Sequence, residues 1–568
     1  VPIMFDAPPL RTHQSASPEA SSAGDDVWVP EPGWREDVSL AFGIDLRTLA
    51  VFRVGLALLL LGDLALRAID IGAFYTDAGT LPRTSRIELI EPGDQTGRSW
   101  WWSLHMLSGE GWVQGGLFAV AGVAAAALLV GYRTWLASVV SWVLLTSLQY
   151  RNPMVLQGGD VLLRQMVLWS MFLPLGAYWS VDRLSHPARR LPRRVLSIAT
   201  VALLLQVAGL YIWSAILKNQ PQWHAEYSAV YYALNIDQLT TPLGRALLEY
   251  PELCRNLTMA TYYFELLGPV LVFLPFLRGW WRFAVVIAFW GMHTGMGLCL
   301  HLGPFPWYCA VAWLAFVPGC VWDAVARMAS GRDATDRSPL PHAAGGPIGD
   351  LIEQFRSRCG DERPWLKLSR PAQALAARLL LIAMAWNARE VTPPESVWWR
   401  LMPVQANCLG RISGVEQRWD MFAPPLTEDG WYCMIGKLRN GDVVNLWRPG
   451  TPLPMSKPAD VAGLYPRERW RKYLMNLCSA ENHPFRADFL HWLARRWNER
   501  YAGGHPGRVV RRVELWFHLE RTPPPGEPFA PVEPLLLADW NYFDAPTDPR
   551  DPEVDSEAAG PRLARDSR

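Results

Sequence analysis

Lys218 is the residue of this sequence best placed to do chemistry. It closes a long apolar run, Tyr211-Ile-Trp-Ser-Ala-Ile-Leu-Lys218-Asn-Gln-Pro-Gln-Trp223, in a chain with only five lysines (Lys218, Lys367, Lys437, Lys457 and Lys472). An ammonium at the edge of hydrocarbon loses part of its hydration, which brings the neutral amine, a base, within reach. The same position also suits an anchor that snorkels to the outer interface. His293 is the one ionisable side chain between Phe283 and Leu300. A histidine there can relay protons, stabilise an anion or hydrogen-bond a neighbouring helix. His301, farther along, reads as an exposed interfacial residue.

Other polar residues interrupt apolar blocks: Arg53, Asp63, Asp160, Arg164, Gln206 and Glu265. Membrane-embedded charges usually pair, so Arg53 with Asp63, and Arg164 with a partner across the bundle, are expected to be structural. Glu265 can face Lys218. There it would either orient the amine or lock it as an ammonium. Nucleophile elbows, phosphate-binding glycine loops and zinc-binding helices are absent. Gln157-Gly-Gly-Asp160 has neither the length nor the lysine of a phosphate loop. Eight cysteines include no CxxC pair, and no histidine stands at ligand spacing, so no metal site is expected. Cys299, Cys309 and Cys320 read as packing residues.

These residues need elements to hold them. Half the residues are hydrophobic, and long charge-free blocks fill roughly residues 50–325. A spanning helix takes about 20 mainly apolar residues. Candidate spans lie near 49–68, 112–130, 134–149, 162–180, 195–217, 259–277, 283–300, 307–325 and 372–388, the last carrying Arg378. The fold class is therefore an all-α polytopic membrane bundle of eight or nine spans, occupying 45–390. Residues 1–40, rich in Ser, Ala, Pro and acids, read as a flexible tail without the pattern of a cleaved signal, and 546–568 as a disordered one. A formal net charge of +1, with no basic cluster interleaved with aromatics, argues against nucleic acid as a partner.

Arginine sets the orientation. Arg183, Arg189, Arg190, Arg193 and Arg194 crowd one link, Arg278 and Arg282 another, and Arg327, Arg332, Arg356, Arg358, Arg363, Lys367 and Arg370 a third. Putting these inside gives a multi-pass protein of the cell (inner) membrane with a cytoplasmic N-terminus. Residues 69–111, 150–161, 218–258 and everything after about 390 then face outward. Residues 404–545 read as a small α+β or β-rich extracytoplasmic domain. Trp431–Leu438, the Asn440-Gly441 turn and Val443–Trp447 form a hairpin pattern; Val509–Arg521 alternates as a strand, with helical spacing over Pro466–Leu477 and Pro484–Tyr501.

Several phrases together resemble a known family: Phe52-Arg-Val-Gly, Phe74-Tyr-Thr-Asp-Ala-Gly-Thr-Leu-Pro82, Arg151-Asn-Pro, Gly159-Asp160, Tyr178-Trp-Ser-Val-Asp182, Lys218 to Trp223, Tyr231-Tyr-Ala-Leu-Asn235 and Gln417-Arg-Trp-Asp-Met-Phe-Ala-Pro424. They look like the horizontally transferred transmembrane (HTTM) domain, whose best-known members are the vitamin K-dependent γ-glutamyl carboxylases. The resemblance covers about residues 45–325, with weaker echoes to about 450. It implies a lyase of the carboxylase and epoxidase type, with reduced vitamin K or another isoprenoid quinol as cofactor. Lys218 matches the base that deprotonates the quinol, and His293 a functional histidine. The family's histidine before Tyr-Trp-Ser-Val-Asp is Ala177 here, so quinol chemistry can survive where glutamate γ-carboxylation does not.

Two readings follow. One is a membrane enzyme with Lys218 and His293 at work on a lipid-soluble quinone, with an extracytoplasmic protein or peptide as substrate. The other is a non-catalytic scaffold in the lipid bilayer that binds a lipid or a partner protein. A transporter fits less well, because no Gly/Pro-broken helices recur in matching halves. Single-cysteine labelling of intact cells tests the orientation. Positions near 190 and 340 should be shielded and positions near 230 and 440 labelled; the opposite pattern would invert the topology.

Overall fold

The computed structural model describes residues 33–88, 101–185, 193–274, 279–329, 369–393 and 395–541. Its longer helices are α1 (Gly33–Phe42), α2 (Leu46–Ala68), α3 (Gly111–Val130), α4 (Thr134–Arg151), α5 (Gly158–Ser170), α6 (Ile198–Leu217), α7 (Pro251–Leu271), α8 (Trp280–Cys299), α9 (Phe305–Leu314), α10 (Gly319–Ala329) and α11 (Arg370–Glu390). The C-terminal part adds α12 (Glu468–Cys478) and α13 (Phe485–Trp497).

Local chemistry fixes the helix ends. Ser197 and Thr200 cap the start of α6 reciprocally, Thr200 N donating to Ser197 Oγ and Ser197 N to Thr200 Oγ1. Asp160 does the same for α5, accepting from Gln157 N at 2.8 Å. α3 stops at Gly131, whose φ of 75° is left-handed. Any side chain there would strike Ser180 and Arg53.

Among the described residues, four helices are long and apolar enough to cross a membrane: α2, α3, α6 and α8. The pair α9 and α10 makes a fifth if read as one span, but it bends by 88°. Several expected spans differ. The fourth is only the 13-residue α5, which begins four residues earlier than expected and breaks at Ser170, because Pro174 and Gly176 follow. Thirteen residues rise about 20 Å, short of the hydrocarbon thickness. The sixth is displaced toward Pro251, a residue suited to a helix start. α11 matches the ninth in place, but its polar residues keep it below the apolar standard of the other four. Within the expected N-terminal tail, residues 33–40 belong to α1; the rest of that tail, the 546–568 tail and most of the link after Arg327 lie outside the described residues.

Beyond the bundle stands a four-stranded antiparallel sheet in the order β4-β3-β5-β6, with β3 at Glu428–Leu438, β4 at Val443–Asn445, β5 at Val510–Arg521 and β6 at Glu533–Asn541. Two short strands inside the bundle, β1 (Ile44–Asp45) and β2 (Arg194–Val195), tie the starts of α2 and α6 together. The expected hairpin and the later strand are present; β6 went unrecognised because its Leu run lacks clean alternation. α12 and α13 pack with the sheet, and their aromatics continue into the bundle, with Phe74 and Trp470 ring centroids 4.4 Å apart.

A closed group of buried charges joins the two parts. Arg67 donates to Asp63 at 2.8 Å, to Asp160 at 2.5 Å and to the Tyr75 hydroxyl at 2.7 Å. From α12, Arg469 donates to Asp63, to Asp160 at 3.0 Å and to the Val155 carbonyl at 3.0 Å. Asp63 therefore pairs with Arg67 and Arg469 rather than with Arg53. Ten residues separate Arg53 from Asp63, about 15 Å of helix rise. Arg53 instead donates to the carbonyls of Leu175, Tyr178 and Trp179. Arg164 likewise crosses to the carbonyls of Gly414 and Glu416 and to Gln149.

Replacing Arg469 with Ala leaves Asp63 and Asp160 sharing one guanidinium where four charges had balanced. Thermal or denaturant unfolding of the purified chain should show a loss of about 3–5 kcal/mol. A change below about 1 kcal/mol would mean that Arg469 does not link the parts.

Candidate functional site

The cluster at the C-terminal end of α6 is built along one stripe of that helix. Tyr211, Ser214 and Lys218 follow at intervals of three and four residues, so they line one face over about 10 Å. Lys218 caps the C-terminus of α6 and is 2% exposed. Its Nζ donates to Ser214 Oγ at 2.6 Å and to Glu265 Oε2 on α7 at 2.6 Å, and it lies 5.0 Å from the centre of the Trp223 ring. The Trp223 indole is fixed by donating to the Phe422 carbonyl at 2.8 Å.

About two turns back along the helix, the Tyr211 hydroxyl lies 2.7 Å from His293 Nε2 on α8 and accepts from Trp313 Nε1 on α9 at 2.9 Å. Trp313 stacks on Phe289 with centroids 3.9 Å apart. His293 is 3% exposed, and its Nδ1 is buried without a partner.

The two residues singled out by type and spacing thus meet one face of α6, Lys218 from the helix itself and His293 through Tyr211 seven residues earlier. The pairing with Glu265 has a chemical consequence. Lys218 sits as the cation of a salt bridge, all of its donors directed at Ser214, Glu265 and the Trp223 ring. In this arrangement the lysine nitrogen is engaged by Ser214 and Glu265 rather than turned to open space. Tyr211, Ser214 and Trp313 were not recognised from sequence. The first two were readable as the residues seven and four places before Lys218, had the helical face been traced backward.

The other quoted phrases also meet in space. Asn152 donates to the Phe74 carbonyl at 2.9 Å, and Gln206 on α6 donates to Gln417 at 2.5 Å. Met421 packs where a side chain on Gly158 would have to go. Ala177 lies with Arg53, Gly131 and Asp182 at the end of the bundle where α2 and α6 begin. Lys218 is at the end where α6 finishes, so residue 177 contributes nothing to its surroundings. His301 is exposed, its backbone bonded to Leu239 and Arg471. Among the described residues no group of three or more His, Cys, Asp or Glu is arranged to hold a metal ion.

Comparison with known families, with characterised proteins and with solved structures found no match.

Lys218→Ala leaves a carboxylate 6% exposed without its partner and should cost about 3–5 kcal/mol in unfolding experiments. The double variant Lys218→Met/Glu265→Leu removes both charges and should return close to the parent stability. Equal losses in the single and double variants would show that the two side chains are not coupled.

Proposed function

We propose that this chain is a multi-pass membrane enzyme of the HTTM and carboxylase-like kind, acting on a lipid-soluble quinol through the cluster on α6. The observation that carries the reading is the buried Lys218–Glu265 pair on the same helix face as the Tyr211–His293 pair. Eight or nine crossings, with the sheet domain outside the cell membrane, belong to the same proposal. The outward apolar side chains of α7 (Leu257, Leu267, Val270) and α11 (Leu375, Leu381) support lipid contact on helices too polar to be recognised by composition.

A reduced isoprenoid quinone fits the residues present. His293 Nδ1 is a buried polar atom with no partner, suited to an oxygen of such a ring. Lys218, His293 and Trp223 would hold the group. With oxygen, a bound quinol supplies a base far stronger than any side chain. The protein's part is to take up a proton in a water-poor place. Glu265 does this at Oε1, which accepts no hydrogen bond among the described residues. Lys218 remains an ammonium, holding Oε2 and offering its charge to a neighbouring oxygen. The role of base thus moves from the lysine to the carboxylate beside it. Because Ala177 replaces the family's carbanion-assisting histidine, the proposal is confined to quinol chemistry and leaves glutamate carboxylation out.

One observation favours the scaffold reading. Lys218 is fully engaged, and a cavity of about 360 Å³ lies elsewhere, between the outer loops and the sheet domain, lined by Asp237, Arg245, Asp429, Lys457, Glu520 and Phe529. A lipid or partner held there would need nothing from Lys218.

Oxygen-dependent oxidation of reduced vitamin K by the purified chain separates the two. Glu265→Gln and Lys218→Ala should each lower turnover by 10²-fold or more, while the double apolar variant stays folded and inactive. Turnover unchanged in all three, or absent from the parent, would leave the scaffold.

A further inference from the structure

The end of the bundle opposite the sheet domain gathers positive charge around a small cavity. The cavity is about 20 Å³ and is lined by Leu40, Asp45, Arg194, Gly279, Arg282 and Pro318, among others. Arg282 is 6% exposed. Its Nη1 donates to the carbonyls of Leu40 and Ala41 at 2.9 and 3.0 Å, and its Nε is buried with no partner.

Other buried arginines of this chain have a carboxylate to answer them. Arg67 and Arg469 have Asp63 and Asp160, Arg47 has Asp45 and Asp323, and Arg53 feels Asp182. Arg282 makes no ion pair among the described residues, and a second cation, Arg194, lines the same cavity. Asp45 lines the same cavity but is already committed, both of its oxygens being held by the Arg47 guanidinium at 3.0 and 2.8 Å. A guanidinium cannot discharge itself by losing a proton. Burying it beside another cation, with no ion pair among the described residues, is costly unless an anion comes from outside.

A third positive feature faces the same cavity. α8 starts at Trp280, and Gly279 before it, with φ of 98°, supplies no side-chain cap, so the first-turn amides of a 20-residue helix present their positive end there. A side chain on Gly279 would press on Pro318 at 3.1 Å. A helix start without a side-chain cap, a buried guanidinium whose Nε has no partner and a second arginine line one cavity.

We infer that this point is an anion-binding site, and that its ligand is a phosphate group. The cavity has room for about one oxygen-sized atom, which suits a tetrahedral oxyanion that inserts one oxygen and keeps the rest of the group at the mouth. That oxygen accepts from Arg282 Nε and the first amides of α8, and Arg194 closes over the outer oxygens. The chemistry is shared by the head group of an acidic phospholipid and by inorganic phosphate. The arginine-rich links expected at this end of the bundle match the anionic leaflet of a membrane.

The test uses the full-length chain. In one arm it is placed in nanodiscs of phosphatidylcholine with phosphatidylglycerol, and retained phosphatidylglycerol is counted by native mass spectrometry. In the other it is held in neutral detergent, and bound inorganic phosphate is measured by equilibrium dialysis. Arg282→Gln and Arg194→Gln should each lower occupancy at least fivefold in the arm that shows binding. Arg194 makes no hydrogen bond through its side chain among the described residues, so its variant keeps the test usable if Arg282→Gln misfolds. Loss in the first arm assigns a lipid head group, and loss in the second a free anion. Occupancy unchanged by Arg194→Gln in both arms, or no binding in either, overturns the site.

Discussion

Four charges that have left water must balance one another, and this requirement organises the protein. Asp63 and Arg67 on α2, Asp160 on α5 and Arg469 on α12 are each less than 10% exposed. Two carboxylates and two guanidiniums sum to zero, and Tyr75, Tyr308 and the Val155 carbonyl take up further hydrogen-bonding positions. Desolvating these groups separately would be prohibitive, so the cluster forms whole or not at all. Three members come from the bundle and one from the sheet domain, more than 300 residues away in sequence. Neither part can satisfy its own charges without the other. Asp160 also caps α5, so the same carboxylate sets a helix start and a domain contact.

A second principle operates on α6. Polar residues spaced along one face of an otherwise apolar helix must be answered by neighbours, because lipid and core side chains offer nothing. Glu265 answers Lys218, His293 answers Tyr211, and Gln417 answers Gln206. The cluster at the C-terminal end of α6 is therefore a packing solution. Lys218 and Glu265 are held 2.6 Å apart, and about two turns along the helix a histidine keeps one buried nitrogen without a partner.

Much of this was readable in the residues. The apolar runs ending at Ala68, Val130, Leu217 and Cys299 gave helices with boundaries within a few residues, because composition alone marks them. The Asn440-Gly441 turn marked the hairpin for the same kind of local reason. Lys218 and His293 stood out because ionisable residues are rare in such runs, and Glu265 was traceable from its position on the neighbouring span. What could not be read was long-range. Nothing near Arg469 in sequence says that it enters the bundle. Asp63 offered Arg53 as a plausible partner, and only three-dimensional packing chooses otherwise. The break after Ser170 and the bend at 314–319 were signalled by Pro174 and Pro318. A hydropathy pattern that continued across both prolines hid them.

The segment from Gly414 to Pro424 passes back into the helices after α11. It lies against Arg164, Gln206, Trp223 and Met421's neighbour Gly158. With Arg469 as a second tether, the sheet domain is pinned at two separated places and cannot swing as a lid. On the proposed function, access to Lys218 would come sideways, by a parting of α7 from α6. An entrance of that kind would admit molecules already dissolved in lipid and turn away anything arriving from water.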